Sequence, residues 1–441
     1  MKSLAFCIIF YLSLLTVANA ANSKHIKRLI ETRKCIGCNL KNANLKGLYL
    51  QQADLTGANL RGANLNGADL RGAFLKRANL TKTDLRNAKL ENANLEDAKL
   101  DWAQLNNASI NNRTVIGSKW RLIYDIVNHK VVSQDLTDKD LSRANFNGVD
   151  LQKFNFVGAN LEGATFEGAL VSQANFDGTN LQNSSLFISD LRNSSFQKAN
   201  LKNSSLQAAD IRGAILEQTN LGNANLRRTY LDNAKLSNSN LIKADLAFAH
   251  GHNSDLRQSK LTKANLFNAD LRSSNLSGVD LRNANLKGAD ISNTILTSAT
   301  LRKTNLEGVN LRGVKLSGTN LRKLNLRNID LSGNDLSHTN FTGSNLSGAN
   351  LEGANLSNAI LINANLKGAN LKGANLSNAK LTKANIQNAE LIDANLSNTD
   401  LRFANFKNAN LQGANVTGVE TFFTKVCGAI MFDGKQTKCN E

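Results

Sequence analysis

The 441-residue chain has no proline, and only two tryptophans, two methionines and four tyrosines. Proline lacks the N–H that an inner β ladder requires, so its absence fits a backbone paired nearly everywhere. Aromatic residues make up 5% of the chain, which excludes a broad aromatic core and leaves a narrow aliphatic one. No Ser/His/Asp or paired-carboxylate constellation separates itself from the background, so the composition points to no catalytic apparatus. Negative charge is short as well. The formal net charge is +18.

Residues 1–20, MKSLAFCIIFYLSLLTVANA, read as a secretory leader. Lys2 supplies the positive start, Leu4 to Val17 the apolar stretch, and Ala18-Asn19-Ala20 a small-residue cleavage site. The apolar stretch is short for a membrane span and no second one follows; an uncleaved anchor is the alternative. Cys7 lies mid-stretch without the flanks of a lipoprotein anchor. Lys2 is the one charged residue in this segment, so a chain starting at Ala21 carries +17. The expected location is extracytoplasmic: periplasm, thylakoid lumen or secreted.

What the chain has in abundance is leucine at every fifth position, as in GANLEGANLSNAIL from 348 to 361. A helix repeats near 3.6 residues and a strand at 2, so neither accounts for a strict five. One frame of apolar centres runs from Leu40 to Ile110 and a second from Leu136 to Val416; Gly251 alone among these centres is not Leu, Phe, Ile or Val. Two residues before the centre the chain is nearly always small, and Asn or Asp usually comes just before it. This A-(N/D)-L-x-x pattern resembles the pentapeptide-repeat family over about four-fifths of the chain. The resemblance implies an all-β fold, a right-handed four-sided parallel β-helix with four pentapeptides per coil. Each unit then forms one side and one corner, the centre and the small residue pointing inward, with Asn, Asp and Gly suited to the corners.

From Ile110 to Leu136 is not a multiple of five, so the frame slips. Trp120, Ile123 and Val127 there share a face at helical spacing. A short amphipathic helix is expected to close the first stack before the second begins, a loop extruded from one continuous stack being the alternative. The divisions are a leader (1–20), an N-terminal cap with C-x-x-C (21–38), a first β-helix (39–112), the interruption (113–134), a second β-helix (135–418) and a C-terminal cap (419–441). Residues one coil apart should stack, so Phe156, Phe176 and Phe196 should form one internal column, with Phe146 and Phe166 opposite.

Cys35 and Cys38 precede the first repeat, and Cys427 and Cys439 follow the last. In an exported chain the default is a disulfide within each pair. Asn39 stands where haem attachment needs His, and a zinc site would need both pairs together, whereas the stack separates them by roughly 80 Å at the strand spacing. No cofactor is implied. His250, His252 and Asp255 surround Gly251; a bulged coil could gather them on a metal, and an irregular surface coil with solvated histidines is the plainer reading.

Two columns stand out at twenty-residue spacing. Ser277, Thr297, Ser317, Ser337, Ser357, Ser377 and Ser397 form a run of hydroxyls. Lys243, Lys263, Arg282, Arg302, Lys303, Arg322 and Lys323 form a basic side, where like charges ~5 Å apart repel unless a partner or solvent screens them. Between Thr304 and Thr339 the small inward position becomes Leu324, Ile329 and Asn334, so the cross-section should be distorted where these charges concentrate. The expected function is a non-catalytic protein-interaction or structural rod, or binding of an anionic polymer or membrane surface through the basic side. Exported relatives of this type, with C-x-x-C before the first repeat, are typical of cyanobacterial periplasm or thylakoid lumen. Export, and the lack of interleaved aromatics, argue against nucleic acid. Family members that inhibit topoisomerase by mimicking DNA need an acidic surface, and this chain has the opposite sign.

Overall fold

The computed structural model describes residues 20–130 and 133–439; the leader lies outside them except for Ala20. The residue before each centre makes one parallel bridge to the residue twenty positions on: Asn39 to Asn59, Asn44 to Asn64, Tyr49 to Asp69, Asp54 to Phe74. Four such sides make a coil, and the chain is a right-handed quadrilateral β-helix. Leu40 N–H donates to the Asn59 carbonyl (2.8 Å) and Asn59 N–H to that of Cys38 (2.9 Å). At the corner, Ala43 N–H donates back to the Leu40 carbonyl (3.1 Å), and Asn42 takes a left-handed φ of 56°. Gly and Asn adopt that conformation at least cost, which is why they recur two places after the centre.

The interior is filled by Leu and Ala with essentially no exposure. Where the small inward residue is Thr, its hydroxyl donates to a centre carbonyl, in the adjoining coil for Thr83 to Leu60 (2.8 Å), Thr219 to Phe196 (2.7 Å) and Thr319 to Leu296 (2.8 Å), and in its own coil for Thr294 to Ile291 (2.7 Å). These buried hydroxyls are thereby satisfied, as a buried polar group must be. On the faces, asparagines form ladders of their own, Asn220 to Asn200 and Asn240 to Asn220 at 3.1 Å.

The chain divides into two compact units. The first comprises the described residues up to 149 together with 159–169. It opens with α1 (Ala20–Thr32), whose Ile26 and Leu29 are buried. Cys35 and Cys38 are joined directly after it, with Cα atoms 5.2 Å apart. The interruption holds α2 (Ser118–Val127), with Ile123, Tyr124, Ile126 and Val127 buried; Trp120, expected on that face, is only half-buried. The helix satisfies coil groups that have run out of ladder. Tyr124 donates its hydroxyl to the Ala108 carbonyl (3.1 Å), and the Asn107 N–H donates to the side-chain oxygen of Asn128, the residue that follows the helix (2.6 Å).

On another side the ladder passes straight on. Trp102 N–H donates to the Arg143 carbonyl (2.8 Å), and Arg143 N–H to that of Glu162 (2.8 Å). The helix and the residue after it thus close the coil at Asn107 and Ala108, but not at Trp102.

The second unit comprises residues 150–158 and 170 onward. Phe156, Phe176 and Phe196 stack face to face in its interior, 4.8 Å apart at each step; in the first unit Phe146 and Phe166 pair at 5.2 Å. Its C-terminal end is closed by the Cys427–Cys439 disulfide (Cα–Cα 4.7 Å) and an antiparallel bridge from Ile430 to Gln436.

Gly251 does not bulge the coil. Its N–H donates to the Asp270 carbonyl at 2.7 Å, and Leu231 and Leu271 close over it, so that an added Cβ would clash with Leu231 Cδ1. Ser254 and Ser274 both donate to its carbonyl (2.9 and 2.7 Å). The expected irregular coil is therefore regular, because neighbouring side chains occupy the missing volume.

Candidate functional site: an open seam beneath unpaired cations

The ladder of the second unit fails in one place. Bridges run unbroken to Thr300–Asn320 and resume at Asn320–Asn340, but among the described residues none joins Asn305 to Asn325, Asn310 to Asp330, or Lys315 to Asp335. The asparagine ladder breaks at the same step: Asn305 bonds Asn285 (3.3 Å) and Asn345 bonds Asn325 (3.4 Å), with no bond between Asn325 and Asn305 among the described residues. One side of the square stays shut. Gly318 N–H donates to the Ser337 carbonyl (2.9 Å), and the Ser317 and Ser337 hydroxyls meet at 2.9 Å.

The inward residues explain which sides open. The small position on the open sides stacks Thr304 with Leu324, Val309 with Ile329, and Val314 with Asn334, whereas the shut side stacks Thr319 with Thr339. An interior sized for Ala cannot take two bulky residues at one ladder spacing, so the coils are held apart. Val309 and Ile329 are left half-buried, where Ala269, Ala289 and Ala349 in the same column are buried. The distortion expected from the sequence is thus a three-sided seam.

The seam carries arginines without a fork. Where Asp stands just before the centre, an Arg just after it is forked onto that Asp; where Asn stands there no such fork forms among the described residues, as at Arg61 behind Asn59. Arg71 donates from Nε and Nη2 to Asp69 (2.9 and 2.7 Å); Arg282 does the same to Asp280 (2.8 and 2.6 Å) and Arg402 to Asp400 (2.9 and 2.8 Å). The Arg71 guanidinium holds the Asp69 carboxyl down at about 2. Residues 301–327 carry seven cations and one acid, Glu307, and Glu307 pairs with Lys287 at 2.9 Å. Here Thr300 and Asn320 stand where Asp would be, and Arg302, Lys303, Arg322 and Lys323 have no carboxylate partner among the described residues. All four are exposed. They line two adjoining depressions that share Arg302, one of about 240 Å³ with Asn320, Arg322 and Lys323, the other of about 320 Å³ with Thr262, Arg282, Asn283 and Lys303.

Of the seven basic residues singled out in the sequence, Arg282 is neutralised by its own fork, and Lys243 and Lys263 lie one or more coils from the seam. The signal separating free from forked arginines was legible: Asp, or Asn or Thr, two residues earlier. The His250, His252 and Asp255 cluster is not brought together. His250 stacks on Tyr230 (5.2 Å), His252 Nε2 lies 2.7 Å from Asp270 Oδ2, and Asp255 is forked by Arg257. Among the described residues no group of three or more His, Cys, Asp or Glu could hold a metal.

Sequence reasoning also passed over apolar residues in the left-handed corner position. Ile188, Phe403 and Phe423 have φ of 50–59° and exposures of 53, 46 and 67%. Phe403, Phe422 and Phe423 form an exposed aromatic cluster, rings 4.2–6.0 Å apart. An apolar residue two places after a centre is the signal that would have found them.

A parallel β-solenoid with a filled interior and its chemistry on flat outer faces is the class this geometry defines. The description "Pentapeptide repeats (8 copies)" matches residues 38–112, 133–187, 189–250, 252–348 and 349–419, and the chain belongs to the pentapeptide-repeat family. Similar solved structures include HetL, a pentapeptide-repeat protein involved in heterocyst differentiation regulation from the cyanobacterium Nostoc (33% identity over 55% of this chain and 91% of that one, TM-score 0.28). Another is a pentapeptide-repeat protein from the Arabidopsis thaliana thylakoid lumen (29% identity, 22% of this chain and 66% of that one, TM-score 0.16). A third is Rfr23 from the cyanobacterium Cyanothece (33% identity, 25% and 88%, TM-score 0.15). No curated protein is a significant match to the chain. Among the described residues no helix is long and apolar enough to cross a membrane.

Proposed function

We propose that the protein is an exported, non-catalytic member of its family that acts as a protein-interaction or structural solenoid. The observation that carries this reading is the filled interior. Outside the seam, Leu and Ala leave the described coils essentially no accessible interior surface, so recognition falls to the faces, as in other solenoids. Export is supported by the leader-like residues 1–20, by two disulfides of the kind that persist in oxidising compartments, and by the thylakoid-lumen relative. In this reading residues 21–38 and 419–441 cap the repeats at 39–112 and 135–418, and 113–134 is a spacer. Binding of an anionic polymer or membrane surface is the second reading, favoured by the unpaired cations at the seam.

A pull-down from an extracytoplasmic extract with tagged protein starting at Ala21 tests the function. A specific partner is expected, and the variant Arg302→Glu, Arg322→Glu separates the two readings. A partner kept by the variant moves the site to a neutral face, with the column from Ser277 to Ser397 next. If no protein is captured by wild type or variant, the interaction role is wrong. N-terminal sequencing of the native protein should begin at Ala21; a chain retaining Met1 in the cytoplasm contradicts export.

A further inference from the structure

We propose that the lip of the seam, formed by Arg302, Lys303, Arg322 and Lys323, is a docking site for an acidic polypeptide segment whose carboxylates take the place that Asp fills in this chain's own forks. The inference rests on the reading that the faces bind partners, and it names the partner's chemistry. Three observations converge on it.

The first is the fork itself. At Arg71, Arg282 and Arg402 the same corner arginine offers Nε and Nη2 side by side to one carboxylate. A planar guanidinium matched to a carboxylate in this way is directional as well as attractive. At Arg302 and Arg322 the intramolecular carboxylate has been replaced by Thr300 and Asn320, so an incoming carboxylate meets no competitor. The second is charge. Stacked, unpaired cations on adjoining coils repel each other, and an acidic chain lying along the column relieves several repulsions at once. The third is main-chain hydrogen bonding. The ladder is intact at Asn283 N–H to the Arg302 carbonyl (3.0 Å) and at Lys323 N–H to the Thr342 carbonyl (3.1 Å). Between them, among the described residues, no bond joins Lys303 N–H to the Arg322 carbonyl. A free donor and a free acceptor therefore lie between the two arginines, and an extended peptide supplies the complement of both.

A polyphosphate has no donor for the Arg322 carbonyl. No residue lining the two depressions is aromatic, so sugars and bases find no stacking platform. A second copy of this basic chain would bring like charge to the site.

The test is equilibrium binding of a fluorescent oligo-glutamate peptide to the full chain, with polygalacturonate and polyphosphate of matched charge as competitors. Wild type should bind in a salt-sensitive manner, and Arg302→Gln, Arg322→Gln should weaken binding roughly tenfold. Arg312→Gln, Lys315→Gln removes the same charge from other sides and should change it less than about twofold. All four residues are exposed, so both variants should melt with wild type, and a melting curve verifies this. Equal weakening by the two double variants would reduce the effect to net charge and overturn the site. No binding of oligo-glutamate, or stronger competition by either polymer than by the peptide itself, would overturn the occupant. A partner captured in the pull-down despite such a result would leave the broader interaction role standing on another face.

Discussion

Asp69 and Arg71 carry, in three residues, the rule that governs charge on this protein. A carboxylate just before the centre and a guanidinium just after it lie on the same outer edge of one side, close enough to fork. Each fork is exposed on its arginine side, so its stabilisation is small, but it decides which arginines remain available. Converting Thr300 and Asn320 to Asp should create forks on Arg302 and Arg322 and reduce oligo-glutamate affinity about tenfold with the arginines still present; unchanged affinity in that titration would contradict the rule.

The same pairs set acid stability. Asp69 is held at about 2 by Arg71. Asp270 is also at about 2, its burial outweighed by hydrogen bonds from Arg272 and His252. Both lie below the ordinary 3.8. Carboxyls depressed by folding contribute stability that is present above their unfolded pKa and is lost as pH falls through the folded one. The thermal midpoint should therefore hold down to about pH 4 and fall between about pH 4 and 2, with Asp69→Asn shrinking that fall. The difference between Asp and Asn at this position was visible in the sequence, but its meaning needed the coordinates, because the repeat alone does not say that side chains two residues apart share an edge.

At the scale of the coil, the inward small position acts as a spacer between neighbouring turns. Ala or Thr facing Ala or Thr lets the ladder close; Leu324, Ile329 and Asn334 set against Thr304, Val309 and Val314 do not. Truncating a buried Leu or Ile ordinarily costs about 2–5 kcal/mol, so Leu324→Ala, Ile329→Ala would usually loosen a core. Here the volume removed is what props the seam, and closing it regains ladder hydrogen bonds at about 1 kcal/mol each. The expected outcome is slower amide exchange at Leu306, Leu311 and Leu316 in the double variant. Faster exchange there would mean the seam has another cause. The coil, the phenylalanine column and the place of the distortion were all legible, because each follows from the period. The form of the break at residue 110 was not: the helix sequence shows an apolar face, but nothing in it shows that Trp102 finds a ladder partner at Arg143.

At the scale of the whole molecule, the features that set the ends differ from those that set the middle. Cys427 and Cys439 close a twelve-residue separation at the C-terminal end, which in the chain-entropy account is worth about 3 kcal/mol. Cys427→Ser, Cys439→Ser should accordingly speed exchange at Gly428 and Thr437, whose N–H groups donate across that turn to the Thr437 and Ala429 carbonyls. Protection of the coils from Phe341 to Leu391 should be unchanged, since each coil is held by its neighbours.

The central claim is that the second unit is a continuous ladder except where bulky inward residues part it beneath unpaired cations, and hydrogen exchange measured along the wild-type chain tests it most directly. The account predicts strong protection at Leu266, Leu286, Leu346 and Leu366, each with a ladder acceptor at 2.7–2.9 Å. It predicts much faster exchange confined to the amides that lose their ladder acceptor at the seam, Lys303, Leu306, Leu311 and Leu316 among them. Uniform protection through residues 303–335 would contradict it, and with it the open lip on which the docking site depends.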